Sequence, residues 1–184
     1  MEEADREMAS SRQIWFQCFW GQLATEVALA EGDHETAVAR VRVAFTAATD
    51  PDGPAFWAGE VGALYAEAVR AAGIDEDLDP VVRAVRDRAA TGETRVHAGE
   101  RMRLEAMALV SRGGDPKAVI ERWNDALACY EAMPMPQRVA MCLLELGELH
   151  LRVGDRPAAR TALARAARTA KDIGARPLLR RAKE

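Results

Sequence analysis

The sequence is poor in aromatic residues, which make up 5% of its 184 residues, and it has only three cysteines. Few aromatics beside abundant Ala and Arg are typical of an all-helical protein in which small side chains fill the contacts between helices. Cys18, Cys129 and Cys142 are widely spaced on apolar helix faces. We therefore interpret them as small buried hydrophobes, with a reactive or metal-binding thiol as the alternative.

Long apolar runs are also missing, since none approaches the roughly 20 residues of a membrane-spanning helix. The start of the chain is acidic, with Glu2, Glu3 and Asp5, and it lacks the basic flank and apolar core of a signal peptide. We expect a single cytoplasmic domain over residues 1–184, without membrane contact and large enough to bury a core.

The common motifs of catalytic and metal sites are absent as well. His34, His97 and His150 are far apart and show no metal-ligand spacing. The acidic segment 75–79 resembles a calcium loop only superficially, because Pro80 stands where such a loop needs glycine. There is no phosphate-binding loop, dinucleotide fingerprint or nucleophile elbow. We expect no enzyme activity, no metal and no cofactor.

Charge is distributed unevenly along the chain. The net charge is −4, but residues 152–184 contain ten Lys or Arg and three Asp or Glu, which gives +7 for that segment. A basic end of this kind indicates either a surface for DNA or an acidic partner, or solvated helix faces whose arginines complement helix dipoles. We favour solvated faces because no base-reading motif accompanies the charge, and we expect no direct contact with nucleic acid.

A repeated pattern of glycines and apolar residues is the most informative feature of the chain. The turn glycines Gly32, Gly73, Gly114 and Gly154 are separated by 41, 41 and 40 residues. A fixed period of this length in a helical sequence predicts an array of helical hairpins. Apolar residues recur at four fixed distances from these glycines: Ala24, Tyr65, Ala106, Leu146; Ala37, Leu78, Val119, Ala159; Val41, Val82, Trp123, Leu163; Ala44, Val85, Ala126, Ala166.

The last of these hairpins, over residues 136–177, shows the pattern most clearly. Gly154 can take the left-handed conformation that ends a helix, and Asp155 can cap the next helix, with Pro157 tolerated in its first turn. Small residues would let the two helices approach closely: Gly147, Ala159 and Ala166.

Gly147, Gly154, Ala159, Leu163 and Ala166 have the spacing of a tetratricopeptide repeat, whose usual period is about 34. More narrowly, the phrase GDRPAARTAL, followed by IGARPL, resembles the segment that precedes the DNA-binding domain in large ATP-dependent regulators of the LuxR family. The upstream phrase ALAEGDHETAVARV is similar to an earlier hairpin of the same arrays. The resemblance covers nearly the whole chain and is most specific in its last third.

This resemblance implies an all-α fold, a right-handed superhelix of about four antiparallel hairpins. In that family the array receives an inducer or a partner and restrains the motor domain. We do not expect ATP binding or DNA reading by this segment, because no matching glycine-lysine motif or helix-turn-helix is present. The hairpins would cover residues 10–48, 54–90, 93–133 and 136–174, and a further helix would begin at 177–184.

Three functions follow as hypotheses. The first is a protein-interaction or signal-sensing domain of a LuxR-type regulator, with adjacent domains of that regulator as partners. The second is a free-standing adaptor that binds a protein or peptide. The third is a sensor with a small-molecule inducer between the hairpins, near four aromatic residues: Trp57, Tyr65, Trp123 and Tyr130.

A partner would bind in the groove formed by the first helix of each hairpin, as the tetratricopeptide resemblance implies. The mixed apolar and acidic character of this groove suits an amphipathic helix or a basic peptide. Glu145 and Glu148 share one helix face and are interpreted as part of the hydrated groove wall. The predicted groove residues are Phe19, Gln22, Glu26, Leu29, Met141, Leu144, Glu148 and Leu151.

The first helix carries an aromatic group, Trp15, Phe16, Phe19 and Trp20. Their spacing places four side chains along one stripe of the helix: Phe16, Phe19, Trp20 and Leu23. Trp15 lies off this stripe. The stripe indicates either core packing against the second helix or an exposed patch that a preceding segment would cover. The second interpretation is considered because the ends of a repeat array need polar caps and this helix is not polar.

Overall fold

The computed structural model describes residues 2–89 and 95–183, and these two segments are helical, without a strand. The all-α class predicted from the sequence is confirmed. The predicted boundary between the second and third hairpins, at residues 90–93, lies outside the described residues. The helices are α1 (Glu2–Glu31), α2 (His34–Thr49), α3 (Ala58–Ala71), α4 (Asp79–Ala89), α5 (Arg95–Ser111), α6 (Pro116–Glu131), α7 (Pro136–Arg152), α8 (Arg156–Asp172) and α9 (Arg176–Arg181), with a 3₁₀ turn at Ala55–Trp57.

Aspartate caps fix the starts of three helices. The side chain of Asp33 accepts a hydrogen bond from the backbone N–H of Thr36 at 3.1 Å, and Asp155 accepts one from Ala158 at 3.0 Å. Asp115 does the same at the start of α6. Each cap satisfies an N–H group that has no partner within its own helix.

Glycines in the left-handed conformation end the helices that precede these caps. The third of the four turn glycines is Gly113, with φ of 68°, and not Gly114 as predicted. The N–H of Gly114 instead donates to the carbonyl oxygen of Leu109 at 2.8 Å, which closes the turn. The period survives this correction, because Gly32, Gly73, Gly113 and Gly154 are 41, 40 and 41 residues apart.

Consecutive helices form the most extensive contacts, between α1 and α2, α5 and α6, and α7 and α8. Helix α3 departs from this pattern, since it packs more extensively on α2 and on α5 than on α4. Buried apolar residues from α1 to α8 belong to one continuous cluster. Among the described helices, none has the length and apolar character needed to cross a membrane.

One glycine on the first helix of each sequential pair lies against the second helix. At Gly147, an added Cβ would lie 2.6 Å from Cγ of Leu163, so a side chain there would require Leu163 to shift. The sequence predicted this close approach, and Ala159 and Ala166 are fully buried beside it. The same relationship recurs at three further positions: Gly21 against Ala44, Gly62 against Val85 and Gly99 against Tyr130. The sequence indicated a close approach at Gly62, but not at Gly21 or Gly99.

Candidate binding clefts

The first cleft, of about 910 Å³, lies between α1, α3, α5 and the start of α7. Glu26 and Leu29 line it from α1, and Met141 lines it from α7. Residues from both ends of the sequence therefore meet at one concave surface. The remaining lining residues are Glu60, Leu64, Glu67, Arg103, Pro134, Met135, Pro136, Gln137, Arg138, Ile173 and Ala175.

A network of ion pairs forms the floor of the first cleft. Arg138 of α7 lies with Nη2 3.0 Å from Oε1 of Glu60 and with Nε 2.8 Å from Oε1 of Glu100. Arg103 of α5 pairs with Oε2 of Glu100 at 2.9 Å through its Nε, and its Nη1 pairs with Glu67 of α3. The network thus connects three helices, α3, α5 and α7, below the cleft.

Arg103 and Glu100 are almost completely buried, with side chains 2% and 1% exposed. Burial alone would lower the pKa of Arg103, but the carboxylates of Glu100 and Glu67 raise it well above its ordinary value. The guanidinium therefore stays charged at every physiological pH. Glu26 differs from these groups because it pairs with no basic side chain in the described part of the chain and adds acidic character at the cleft edge.

The second cleft, of about 760 Å³, lies between the C-terminal parts of α3, α5 and α7. The buried side chains of Val69, Met107 and Trp123 form its apolar lining. Ile74 and Leu151 line it too and are 42% and 52% exposed, respectively. This cleft is consequently the more apolar of the two, with a hydrophobic entrance.

A second group of ion pairs stiffens the wall of the second cleft. Arg70 of α3 donates two hydrogen bonds to Glu145 of α7, from Nη1 at 2.9 Å and from Nη2 at 3.1 Å. Arg181 of α9 donates to the same carboxylate at 2.8 Å and to Glu148 at 2.7 Å. Burial would raise the pKa of Glu145, but the hydrogen bonds and positive charges of Arg70 and Arg181 outweigh it and lower that pKa.

The predicted groove is divided between these two clefts. Glu26, Leu29 and Met141 line the first, whereas Glu148 and Leu151 line the second. The division arises because long side chains from α3 and α7 pair across α5 and separate the two ends of the concave face. The tetratricopeptide resemblance placed these residues in one groove and did not predict that they line two separate clefts.

The other three predicted groove residues have different roles. Leu144 is fully buried in the core, so it is not accessible to a partner. Phe19 packs against Trp57, with ring centroids 6.0 Å apart. The side-chain amide of Gln22 donates to Glu26 at 3.3 Å, one turn along α1.

The four aromatic residues predicted near a ligand pocket are not assembled into one. Tyr65 and Tyr130 are buried in the core, where Tyr65 packs against Phe45 and Tyr130 against Gly99. Trp57 packs against aromatic rings of α1 and Phe56. Trp123 alone of the four contributes to the second cleft. The structure thus places these rings in separate packing contacts and does not bring them together in one pocket.

The aromatic stripe of α1 is exposed. Phe16 is 62% exposed, Trp20 48% and Leu23 40%, which excludes core packing as the role of this face. Trp15 and Phe19 are partly covered by the rings of the 3₁₀ turn, with Trp15 and Phe56 centroids 5.4 Å apart. The stripe is therefore a third candidate surface.

Sequence reasoning missed the charged floor of the first cleft. Glu100 and Arg103 stand at i and i+3 on α5, and Arg138 lies in the first turn of α7. In sequence such charges resemble an ordinary solvated helix face. The only available signal was that α5 has charged residues on all sides and no continuous polar face, which indicates that some charges are enclosed.

Two buried cysteines and one glutamate of the second cleft are each held in one protonation state at neutral pH. Cys18 and Cys142 are fully buried, and burial raises the pKa of both thiols to about 12, so they remain protonated at neutral pH. The lowered pKa of Glu145 keeps that side chain ionised rather than available as a general acid. Within residues 2–89 and 95–183, no three His, Cys, Asp or Glu side chains converge to hold a metal ion.

Comparison of the chain with protein-family models, with curated proteins and with solved structures gives no match. The geometry of the clefts and of the exposed stripe therefore carries the functional argument.

Proposed function

We propose that the chain is a non-catalytic, helical-repeat interaction domain of a LuxR-type transcriptional regulator, and that the first cleft receives its protein or peptide partner. The helices would stack as antiparallel pairs in a right-handed, tetratricopeptide-like superhelix. The regular spacing of the turn glycines and the close-approach glycine in each pair support this arrangement. The observation that carries the proposal is the first cleft itself, where Glu26 and Leu29 meet Met141.

The chemistry of the first cleft favours a basic amphipathic helix. Leu29, Met141 and Ile173 supply apolar surface, and the flexible thioether of Met141 adapts to partners of different shape. Arg103 and Arg138 are neutralised by carboxylates on the floor, so they do not repel a basic partner. Among the described residues, the carboxylate of Glu26 accepts a hydrogen bond from Gln22 but pairs with no basic side chain, so it would attract basic side chains at the edge of a docked helix.

A defined probe tests this proposal. A fluorescein-labelled synthetic helix, with Leu at i, i+3, i+4 and i+7 and Lys elsewhere, should bind the wild-type protein in fluorescence anisotropy. The charge reversal Glu26→Lys should weaken binding about tenfold. The matched control Glu121→Lys changes an exposed residue of α6, away from the first cleft, and should leave the affinity unchanged.

Equal weakening by both substitutions would mean that overall charge, not the first cleft, governs binding, and would overturn the proposal. A scrambled peptide of the same composition should bind less tightly, because it cannot present one apolar face. Circular dichroism of each variant confirms that the fold is retained.

The assignment to a regulator has its own test, the nucleotide sequence on both sides of the coding segment. A regulator of this family should encode an ATPase domain upstream and a helix-turn-helix downstream in the same reading frame. If neither is encoded, the free-standing adaptor is the better hypothesis, and cleft binding is unaffected.

The second cleft favours an inducer-binding sensor as a second candidate function. Its volume of about 760 Å³ lies within the range of small-molecule sites, and its lining is mostly apolar. A panel of apolar metabolites should raise the unfolding temperature of the wild type, since a ligand at 100 times its dissociation constant adds about 2.7 kcal/mol. Val110→Arg, which places a large side chain in this cleft, should abolish the shift; no shift with any compound would exclude the idea.

A further inference from the structure

Helix α1 has two apolar faces, and among the residues that the structure describes one of them is buried and the other is exposed. Cys18, Thr25 and Ala28 are at most 4% exposed and face the core. On the opposite side lies a row that we name the outer stripe, spaced 4, 3 and 4 residues apart as in a heptad seam. It consists of Phe16, Trp20, Leu23 and Val27, which are 62%, 48%, 40% and 48% exposed.

The outer stripe supplies most of the area that a specific interface needs. Side chains of these sizes at these exposures leave roughly 450 Å² uncovered. Two such stripes facing each other would bury roughly 900 Å² before flanking atoms are counted, close to the 1,000 Å² that a specific interface needs. The stripe is also accessible, because each of its four side chains is at least 40% exposed.

From these observations we infer that the outer stripe pairs with the outer stripe of a second copy of the chain, with the two α1 helices antiparallel. The distribution of side-chain sizes selects this orientation. Aromatic residues, Phe16 and Trp20, occupy the N-terminal half of the stripe, and aliphatic residues, Leu23 and Val27, the C-terminal half. Antiparallel pairing matches Phe16 with Val27 and Trp20 with Leu23, so every layer has a similar volume.

Charge selects the same orientation. In a parallel pair, Glu26 would lie beside Glu31 of the second copy, at the flanking positions where charge governs helix pairing. Both carboxylates are exposed, and the two resulting like-charge contacts would oppose association. In the antiparallel pair Glu26 instead lies beside Phe19 of the second copy, and the repulsion is removed.

Sedimentation velocity over a range of concentrations tests the association. The wild type should form a dimer, and Leu23→Glu should raise its dissociation constant at least about thirtyfold, because each dimer then holds two carboxylates in an apolar seam. Val43→Glu is the matched control, since Val43 is an aliphatic residue of α2 that is 50% exposed and lies off the stripe. A wild type that stays monomeric, or a loss of the dimer in both variants alike, overturns the inference.

Disulfide crosslinking tests the orientation. In a Cys129→Ser background, Phe16→Cys and Val27→Cys chains should crosslink to each other when mixed and oxidised. Neither should crosslink alone, since identical positions would be about 16 Å apart in the antiparallel pair. The buried thiols of Cys18 and Cys142 do not compete. Crosslinking of each variant with itself would show a parallel pair and overturn the antiparallel arrangement.

Discussion

Arg103 donates a hydrogen bond from Nε to Oε2 of Glu100, 2.9 Å away, and both side chains are excluded from water. The pair is local, one turn along α5, but its outer bonds reach Glu67 of α3 and Arg138 of α7. A buried pair of this kind adds less to stability than its charges suggest, because removing them from water is costly. Its effect is to fix the separation of three helices and hence the shape of the first cleft.

Removal of one partner from this pair should be strongly destabilising. Arg103→Met should lower the free energy of unfolding by about 3–5 kcal/mol, because Glu100 would be left buried without its main partner. Urea denaturation at neutral pH measures the change. The double variant Arg103→Met, Glu100→Gln should recover part of the loss, since the uncompensated charge is gone. If the single and double variants are equally stable, the loss in Arg103→Met does not come from an uncompensated charge on Glu100.

Gly147 should tolerate no side chain while Leu163 stands opposite it. Gly147→Ala should cost about 1–3 kcal/mol of unfolding free energy, because the new methyl group would overlap Leu163. Leu163→Ala opens that space, so the double variant should be more stable than the sum of the two single effects predicts. Additive effects in urea denaturation would show that the two residues are not in contact.

Local features of the fold were predictable from the sequence. Asp155 caps its helix as expected, because a capping aspartate and its N–H partner are separated by only three residues, and Asp33 caps α2 in the same way. The contact of Gly147 with α8 was also predictable, since it follows from the spacing around one short turn. The placement of the third left-handed glycine failed by one residue, because both Gly113 and Gly114 can adopt that conformation.

The sites were less predictable, because they depend on contacts between distant parts of the chain. No local pattern shows that Arg70 reaches Glu145, 75 residues further on, or that this bond helps to divide the groove. The burial of Leu144 and Tyr130 is likewise a property of packing, whereas the tetratricopeptide resemblance made the first a groove residue and aromatic character made the second a pocket residue.

The three thiols should differ in reactivity. Cys18 and Cys142 are fully buried with their pKa raised to about 12, whereas Cys129 is half-buried. A chromogenic disulfide reagent at mildly alkaline pH should therefore modify Cys129 first in the native protein and the other two only on unfolding. Cys129→Ser should abolish the early phase. Simultaneous reaction of all three thiols would contradict the buried placement of Cys18 and Cys142.

The ion pairs of Glu145 should make stability dependent on pH on the acidic side. Its pKa in the folded protein is lowered below the ordinary value of 4.5, so its contribution is fully present above that pH. As the pH falls, Glu145 is protonated first in the unfolded chain. Its contribution to the free energy of unfolding is then lost as the pH falls through its lower pKa in the folded protein. Glu145→Gln should therefore cost about 1–3 kcal/mol at pH 7 and much less at pH 3. Glu121→Gln, at an exposed position, is the control in urea titrations at both pH values. If the cost of Glu145→Gln does not change with pH, the carboxylate is not held by Arg70 and Arg181.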